Sequence, residues 1–287
     1  MNLAVTYDHE STLKAQKEAG ADIVIVGVER FSMRMKSPLS LEALEGVVKA
    51  AHACGMACWA NLNAPIHEPD LDMLKTTLNE VLATDIDKVL FADLAVFNVA
   101  GKATNRLIYH PDTYATDLGD SLFFAREGIG GIVAGRELTI DAIETMSEGP
   151  LPVVIVGHGH LPMFHSRRPL VEHYVEHTGD ATPDTIKTKK TLTLVESTRE
   201  EAYPIVQDGF GTHVFRAKPT ASFAVLERLK NVVDTLVVDG LWFSPDVVLD
   251  TLSDYRASLS GKAPRQSYDH CDTGFYDKRT VTMKEDV

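Results

Sequence analysis

A histidine-rich stretch follows an apolar run in the second half of the chain. Residues 157–174, GHGHLPMFHSRRPLVEHY, hold four histidines and two adjacent arginines directly after LPVVIV, which has the pattern of a buried strand. Imidazole titrates near neutral pH, so His158 and His165 are predicted to transfer protons or to contact a ligand. Ser166 beside His165 is the candidate nucleophile of a hydrolase, although the sequence lacks the G-x-S-x-G elbow that positions such a serine.

Metal binding is the weaker interpretation of the same histidines. His158 and His160 form an H-x-H pair with His165 nearby, but the sequence shows no carboxylate that would orient these rings as ligands. The three cysteines of the chain are too few for a disulfide framework or a four-cysteine metal centre. The sequence therefore predicts no metal site and no certain cofactor.

Eight apolar, β-branched runs alternate with amphipathic segments, which is the pattern of repeated βα units. Strands are predicted at residues 3–7, 22–28, 57–63, 88–93, 106–110, 131–137, 152–158 and 235–240. Helices are predicted at 10–20, 40–55, 70–85, 94–103, 119–128 and 139–147. No G-x-G-x-x-G turn follows the first strand, which disfavours an open doubly wound sheet. The sequence therefore predicts an α/β fold with a closed, TIM-barrel-like (β/α)8 parallel barrel.

The regular spacing of the strands ends after the seventh. Roughly 75 residues separate the seventh strand from the eighth, far more than an ordinary βα connection. TLTLVES, EAYPIV and THVFRAK have the pattern of short strands, so residues 159–220 are predicted as a β-rich insertion over one rim of the barrel. Residues 262–287 are polar and aperiodic, and are predicted as an ordered strap or a loose tail. Residues 1–287 then form a single barrel domain.

Polar or charged residues follow every predicted strand. In a parallel barrel the active site lies at these carboxyl ends and in the loops after them, so Asp93 is predicted to act with His158 and His165 in catalysis. Guanidinium groups nearby would bind an anionic or planar polar ligand. The alternative is that these polar groups pair with one another. The predicted ligand-binding residues are Arg30, Arg34, Asn61, Asn63, His110, Arg136, Glu137, Ser166, Arg167, Arg168 and Asp239.

Composition and charge are those of an ordinary soluble globular protein. The 287 residues are 44% hydrophobic and 24% charged, with a formal net charge of −13. The net negative charge opposes long-range attraction to the phosphate backbone of a nucleic acid, so contact with RNA would need a local basic patch or a partner. No apolar stretch approaches the ~20 residues of a membrane span, and the N-terminus lacks a signal-peptide pattern. We therefore expect no membrane partner and a cytoplasmic location.

Several blocks of the sequence resemble peptidase family U32, the collagenase-like peptidases. AGADIVIVGVERFSMRM is similar to the family's GADAVYVG block with FSLRA, and GRELTIDAIETM is similar to its SRELSLEEI segment. AHACGMACWANLNAPIHEPDLD resembles the segment from its second helix to its third strand, and the histidine-rich stretch takes the place of the family signature. The likeness continues through YPIVQDGFGTHVF and LVVDGLWFSPDVV, so it extends over nearly the whole chain.

The chain departs from the family signature at two cysteines. His158, Gly159 and Ser166 match signature positions, but Pro162 and Pro169 stand where the signature has cysteine. Members that resemble iron–sulfur proteins use such cysteines as ligands. The resemblance therefore implies no iron–sulfur cluster at these positions of this chain.

The resemblance implies a role in RNA modification. MFHSRRPL is similar to the same segment of shorter family members, which take part in prephenate-dependent hydroxylation of the wobble uridine of transfer RNA beside a cysteine-bearing paralogue. It thus implies three partners: transfer RNA, that paralogue, and a small anion such as prephenate. Two alternatives stay open, a peptidase, as the family name says, and a non-catalytic subunit that stabilises the paralogue.

Overall fold

Eight parallel strands form the barrel. A computed structural model of the protein describes residues 1–179, 192–198 and 200–278. Numbered along the chain, the barrel strands are β1 Asn2–Thr6, β2 Ile23–Gly27, β3 Ala57–Leu62, β4 Lys88–Phe91, β5 Leu107–Tyr109, β6 Ile132–Val133, β7 Val153–Gly159 and β13 Thr235–Val238. They pair in the order β7-β13-β1-β2-β3-β4-β5-β6, and β6 pairs with β7 to close the ring. The predicted parallel barrel is confirmed.

Helices follow the strands around the barrel. They are α1 Leu13–Glu18, α2 Leu41–Ala53, α3 Leu71–Ala83, α4 Leu94–Val99, α5 Leu118–Arg126, α6 Ile140–Ser147, α8 Leu226–Leu229 and α9 Pro245–Leu259. Short 3-10 segments lie at Glu10–Thr12, Glu68–Asp70, Gly101–Arg106 and Phe223–Val225. Across the described residues, no helix has both the length and the apolar character needed to cross a membrane.

Helix α2 illustrates how the sequence specifies these elements. Ser40 is its N-cap and accepts a hydrogen bond from the backbone N–H of Ala43. Leu44 and Val48, one turn apart, are buried with their neighbours on the same face. Gly55 follows the helix with a φ of 74°, a conformation that glycine adopts without steric cost. The cap, the apolar face and the terminating glycine all agree with the sequence prediction.

Apolar side chains form two layers along the barrel strands. The inner layer contains Ala4, Ile23, Ile25, Trp59, Leu90, Ile108, Val133, Val154 and Val237. The apolar residues that alternate with these along the strands belong to the larger outer layer, which is covered by the helices. Successive side chains of a strand point to opposite faces, so a strand covered on both sides is apolar throughout. This double coverage explains why the barrel strands appear in the sequence as almost continuous apolar runs.

The segment inserted after β7 is a compact unit of its own, His160–Pro219. It contains β8 Pro162–Ser166, α7 Leu170–Thr178, β9 Leu192–Val195, β10 Ala202–Asp208 and β11 Gly211–Phe215. Its strands are antiparallel in the order β8-β11-β10-β9. The sequence indicated β9, β10 and β11 but missed β8 and α7. Most of the β8 side chains are exposed, and Val175 is the one buried residue of α7, so neither element has a strong apolar period.

A β-bulge lies where the chain leaves the barrel. The pairing of β7 with β13 shifts so that Val237 is opposite Val156, whereas Val238 is opposite His158. Gly157 is therefore the extra residue of β7. A Cβ atom on Gly157 would lie 2.5 Å from Leu236 Cγ, a distance that no side chain tolerates without displacing its neighbour. The returning strand β12, Thr220–Ala221, pairs antiparallel with the end of β7.

A buried hydrogen-bond network surrounds this bulge. The carbonyl of Gly157 accepts from Ser222 Oγ at 2.7 Å and from the Tyr255 hydroxyl at 3.1 Å. The Tyr255 oxygen also accepts the backbone N–H of Ser222 at 2.9 Å. Tyr276 places its hydroxyl 2.8 Å from Ser222 Oγ. These bonds join β7, α9 and the C-terminal segment around one carbonyl group.

The C-terminal segment is bound to α9 as far as the structure describes it. Asp254 of α9 is fully buried and accepts the backbone N–H groups of Arg265 and Gln266 at 3.0 and 3.3 Å. It also accepts the Tyr268 hydroxyl at 3.1 Å. Residues 262–278 are thus attached to the barrel unit, whereas residues 279–287 of the predicted strap or tail lie outside the described residues.

Tyr255→Phe is expected to lower the free energy of unfolding by about 1–3 kcal/mol, because it removes one donor to the Gly157 carbonyl and the acceptor of the Ser222 N–H. Urea denaturation followed by circular dichroism measures this loss. Tyr174→Phe, at a residue that is 64% exposed on α7, is the matched control and should leave the midpoint unchanged. Equal midpoints for Tyr255→Phe and the wild type would contradict the assigned network.

Candidate functional site at the carboxyl end of the barrel

Polar side chains line the carboxyl end of the barrel interior. Asn61 and His110 lie two residues beyond Trp59 and Ile108, which belong to the inner layer. Side chains repeat every two residues along a strand, so Asn61 and His110 also point inward. Asn61 is 4% exposed and the His110 side chain 16%. The structure thus brings two predicted ligand-binding residues to the end where parallel barrels hold their active sites.

Asp112 lies at the centre of this end, in the loop after β5. Its carboxylate accepts a hydrogen bond from Arg34, in the loop after β2, and lies 3.1 Å from Nη2 of Arg136, which follows β6. Arg136 Nε donates to the backbone carbonyl of Asp112 at 3.2 Å, and His110 Nε2 lies 3.8 Å from its Oδ1. Strands β3 and β4 separate β2 from β5, so the contact with Arg34 spans the mouth. We call these four residues the Asp112 cluster.

Burial and pairing set the charges of the Asp112 cluster. Burial by itself would raise the pKa of Asp112, but Arg34 and Arg136 outweigh it and hold that pKa well below its usual range. Burial lowers the pKa of His110 to about 4, so this imidazole is neutral at pH 7. Burial also lowers the pKa of Arg136, while Asp112 opposes the change; a guanidinium stays protonated in proteins. One carboxylate therefore lies between two guanidinium groups, beside a neutral imidazole.

Asp239, after β13, is electrostatically coupled to this cluster. Burial raises its pKa, while the backbone N–H of Leu241, 3.0 Å from Oδ1, and the charge of Arg34 act in the opposite direction. Glu137 contributes a further carboxyl group that acts on Arg136. The arginines of the mouth are thus already engaged with acidic side chains of the chain. Anion binding by Arg34 and Arg136 stays a prediction.

Asn63 and Asp93 use their side-chain oxygens to connect neighbouring loops. Asn63 Oδ1 accepts the backbone N–H of Met33 at 2.9 Å. Asp93 Oδ2 accepts the N–H of Ile66 at 2.8 Å, and its Oδ1 caps α4 through the N–H of Ala95 at 2.9 Å. Both Asp93 oxygens are thereby bound to backbone. This geometry fits an orienting role better than the predicted catalytic one.

Three buried acceptor atoms of the mouth have no hydrogen-bond partner among the described residues. They are Asn61 Oδ1, His110 Nδ1 and Glu137 Oε2. A neutral imidazole has one donor and one acceptor nitrogen. The negative charge of Asp112, whose Oδ1 lies 3.8 Å from Nε2 of His110, favours the proton on Nε2 and leaves Nδ1 as the acceptor. A buried acceptor without a donor costs free energy, which makes such atoms markers of a ligand or an ordered water. The mouth therefore suits a ligand that donates hydrogen bonds.

His158 lies in a different environment from the predicted one. Its pairing partner Val238 belongs to the layer beneath the helices, so the β-bulge turns His158 toward that layer. Its ring centroid lies 5.6–5.7 Å from those of Phe243, Tyr255 and Tyr268, and the residue is 1% exposed. Nδ1 is 3.4 Å from the Tyr255 hydroxyl. These contacts make His158 part of the packing around the insertion point, and its predicted proton transfer has no support from this geometry.

His165 and Ser166 are neighbours on β8 in the inserted unit, and they do not form a nucleophile–base pair. Adjacent residues of a strand point to opposite faces. His165 stacks on His213 with ring centroids 4.6 Å apart and donates from Nε2 to the carbonyl of Phe210 at 3.0 Å. Ser166 Oγ instead accepts the backbone N–H of Arg168 at 3.3 Å. This arrangement disfavours the serine-hydrolase alternative.

The remaining predicted arginines are exposed. Arg30 places Nη1 3.2 Å from the sulfur of Met73 on α3, while Arg34 of the same loop reaches Asp112. Arg167 and Arg168 follow β8 in the inserted unit. The loops after β2, β5 and β6 thus bring Arg34 and Arg136 together, whereas Arg167 and Arg168 belong to the inserted unit.

The cysteines of the chain do not fit an iron–sulfur cluster, whose ligands are thiolates. Pro162 begins β8 and Pro169 precedes α7 at the positions where the signature has cysteine. Burial raises the pKa of Cys58 to about 12 and that of Cys271 to about 11, so both thiols are protonated in the metal-free protein. Within the described ranges, no three or more His, Cys, Asp or Glu side chains are grouped to hold a metal ion.

Sequence comparison relates the chain to one family. A profile of peptidase family U32 matches residues 9–280. The tRNA hydroxylation protein P2 of Bacillus subtilis (strain 168) is 28% identical over 247 residues, covering 84% of this chain and 80% of that protein. The tRNA hydroxylation protein P of Helicobacter pylori (strain J99) is 27% identical over 266 residues, covering 86% of this chain. The match spans 61% of the Helicobacter protein, less than two thirds of its length.

Structural comparison supports the fold. A solved U32 peptidase structure aligns with a TM-score of 0.52 and 15% sequence identity. The alignment covers 83% of this chain and 92% of the other. At this level of identity the likeness concerns the barrel architecture and carries no information on activity.

His110→Gln is expected to remove a pH-dependent part of the stability. The pKa of His110 is about 4 in the folded protein, below the ordinary histidine pKa of 6.5, so between these pH values the unfolded chain binds more protons and acid destabilises the fold. This contribution is complete above pH 6.5 and is lost as the pH falls toward 4. Urea titrations at pH 7.5 and 4.5 should show the wild type losing about 3 kcal/mol more than the variant. An equal loss of unfolding free energy between pH 7.5 and 4.5 in the wild type and the variant would contradict a buried, neutral imidazole.

Asp112→Asn is expected to destabilise the fold by about 3 kcal/mol at pH 7, because Arg34 and Arg136 are left as adjacent, largely buried cations. Asparagine tolerates the φ of 66° at this position, so the change isolates the charge. Asp141→Asn, at an 83% exposed side chain that pairs with Arg228, is the matched control and should leave the unfolding midpoint unchanged. Thermal and urea unfolding measure both variants, and equal effects would contradict the cluster's role.

Proposed function

The chain belongs to peptidase family U32, and we propose that it acts in the hydroxylation of transfer RNA, specifically in prephenate-dependent 5-hydroxylation of the wobble uridine. Two relatives that match most of this chain are named tRNA hydroxylation proteins, which supports RNA modification as its field of action. The observation that carries the proposal is the mouth of the barrel, where the Asp112 cluster lies beside three acceptor atoms without partners.

The chemistry of this mouth suits a small ligand with both carboxylate and hydroxyl groups. Arg34 and Arg136 carry the planar guanidinium donors that recognise carboxylates. Asn61 Oδ1, His110 Nδ1 and Glu137 Oε2 are acceptors for hydroxyl or N–H donors of a ligand. A hydroxy-carboxylate such as prephenate offers both kinds of group. The proposed ligand therefore satisfies atoms that the protein leaves unpaired.

Each residue of the site has a distinct part in this proposal. Asp112 holds Arg34 and Arg136 in fixed orientations, which lowers the cost of ordering them when a ligand binds. The neutral His110 accepts a hydrogen bond from the ligand without adding charge. Burial raises the pKa of Asp239, so this carboxyl group is the proposed proton-exchanging group of the mouth.

A cysteine-bearing paralogue completes the proposed system. Pro162 and Pro169 leave this chain without the signature cysteines, so any iron–sulfur chemistry would belong to the paralogue. The net charge of −13 opposes strong binding of RNA by this chain alone, which favours a shared RNA contact with a partner. We place the reaction in the cytoplasm, where transfer RNA is modified. A non-catalytic role beside the paralogue is the second candidate, and the two prolines favour it.

Deleting the gene in its source organism is expected to abolish or strongly reduce 5-hydroxyuridine at the wobble position of transfer RNA, measured by mass spectrometry of digested RNA. Re-expressing the wild type should restore the modification, whereas Arg136→Gln should leave it at least about tenfold lower, because a misplaced binding group costs that much or more. Arg126→Gln, at an exposed residue of α5, is the matched control and should restore it fully.

Two outcomes of the deletion experiment and one of a separate peptidase assay would contradict the proposal or favour an alternative. Unchanged hydroxyuridine after deletion would overturn the function. Full restoration by Arg136→Gln, together with co-purification of the paralogue, would favour the non-catalytic subunit. Peptide cleavage by the purified protein that disappears in Ser166→Ala would support the peptidase alternative.

A further inference from the structure

The backbone of the barrel mouth is strained in two loops. In the described part of the chain, four residues other than glycine have positive φ: Arg30 at 68°, Arg34 at 59°, Asp112 at 66° and Tyr114 at 69°. Two lie in the loop after β2 and two in the loop after β5. Aspartate tolerates this conformation because its short side chain bonds locally, but for a bulky tyrosine it is costly. Such strain persists where surrounding structure imposes it, and it concentrates at functional sites.

Hydrogen bonds on both sides of Tyr114 impose this conformation. Before it, Thr113 N–H donates to the carbonyl of Pro111 at 2.8 Å. After it, the carbonyl of Ala115 accepts the N–H of Gly135 at 2.8 Å, and the N–H of Thr116 donates to the side chain of Asp120 at 2.7 Å. The loop therefore presents Tyr114 on a rigid backbone, two residues from the Asp112 carboxylate.

The Tyr114 side chain is also unusually exposed. It is 80% exposed, the largest value among the large apolar side chains of the described residues. Such an exposed ring contributes little hydrophobic stabilisation to the fold, and the positive φ of its backbone opposes folding. A glycine at this position would remove the strain. The cost of keeping tyrosine here is therefore offset by something outside the folding of this chain.

We propose that Tyr114 is a stacking platform for a nucleobase of the RNA whose modification was proposed above, an inference that rests on that proposed function. Base–aromatic stacking accepts any base, because every base has a π-face. Tyr114 lies two residues after Asp112 on the same loop, and Asp112 in turn contacts Arg34, whose guanidinium donors suit the polar edge of a base. Bases are commonly held by stacking on one face and hydrogen bonds along one edge.

The surroundings of Tyr114 favour RNA over a protein partner. A protein hot spot is an aromatic anchor within an apolar, fully desolvated surface. The neighbours of Tyr114 along the loop are Asp112, Thr113 and the buried Ala115, and Asp112 is paired with Arg34 and Arg136. An exposed ring on a loop with polar and charged neighbours matches the stacking platform of a nucleic-acid site more closely.

The test uses the full chain and fluorescence anisotropy with a labelled anticodon stem-loop of transfer RNA that has uridine at the wobble position, at low salt. Tyr114→Ala and Tyr114→Gly should weaken binding by about 5- to 150-fold, the loss of one stacked base. Tyr114→Phe should stay within about twofold of the wild type, because the ring is kept. Phe123→Ala, at a 57% exposed residue of α5, is the matched control and should bind like the wild type.

Thermal unfolding of the same variants separates the platform from a structural role. Tyr114→Gly relieves the positive φ, so it should unfold at the same temperature as the wild type or higher while binding RNA more weakly. A lower unfolding temperature together with unchanged RNA binding would overturn the inference. Absence of RNA binding by the wild type, or loss of a protein partner but not of RNA in Tyr114→Ala, would also overturn it.

The two proposals fail in different ways. Normal hydroxyuridine after gene deletion removes the hydroxylation function, whereas RNA binding that depends on Tyr114 would still uphold the platform. Hydroxyuridine that depends on the gene but is fully restored by Tyr114→Ala, with unchanged RNA binding, removes the platform and leaves the proposed function in place.

Discussion

The carboxylate of Asp112, held between the guanidinium groups of Arg34 and Arg136, joins the loops that follow β2, β5 and β6. Removing one partner of such a largely buried group leaves an uncompensated charge, so the three side chains are mutually dependent. Arg34 and Asp112 both adopt left-handed backbone conformations to meet. The ion pairs thus stabilise strained loops, and the strained loops in turn aim the charges into the barrel mouth.

A second constraint operates where the inserted unit leaves and rejoins the barrel. The bulge at Gly157 exposes a carbonyl to Ser222 and Tyr255, and it turns His158 toward the layer beneath the helices. Because an extra residue reverses the alternation of a strand, a histidine that the strand pattern places at the mouth becomes part of the packing. The same bulge therefore accounts for both the buried network around the Gly157 carbonyl and the changed role of this histidine.

The proposed function rests on the buried hydrogen-bond acceptors of the barrel mouth that have no donor in the described part of the chain. The arginines of the mouth are oriented by Asp112, and acceptors of Asn61, His110 and Glu137 have no donor within the described residues; the proposed ligand would supply those donors. The two prolines at the signature positions supply no thiolate ligands for a cluster. Under the proposed function, the chain binds and orients a small polar molecule, and a partner supplies the chemistry that its own side chains lack.

The sequence by itself determined the barrel. Strand and helix periods, the cap at Ser40 and the long interval after the seventh strand are local or short-range patterns, and a strand buried on both faces has to be apolar throughout. It also placed Asn61, His110, Arg34 and Arg136 at the correct end, because parallel strands end at one rim. Tertiary structure alone decided which of these residues meet: Arg34 and Asp112 are 78 positions apart, and their contact depends on ring closure and on two left-handed residues. The bulge at Gly157 and the helix-capping role of Asp93 likewise depend on neighbours that no local pattern reveals.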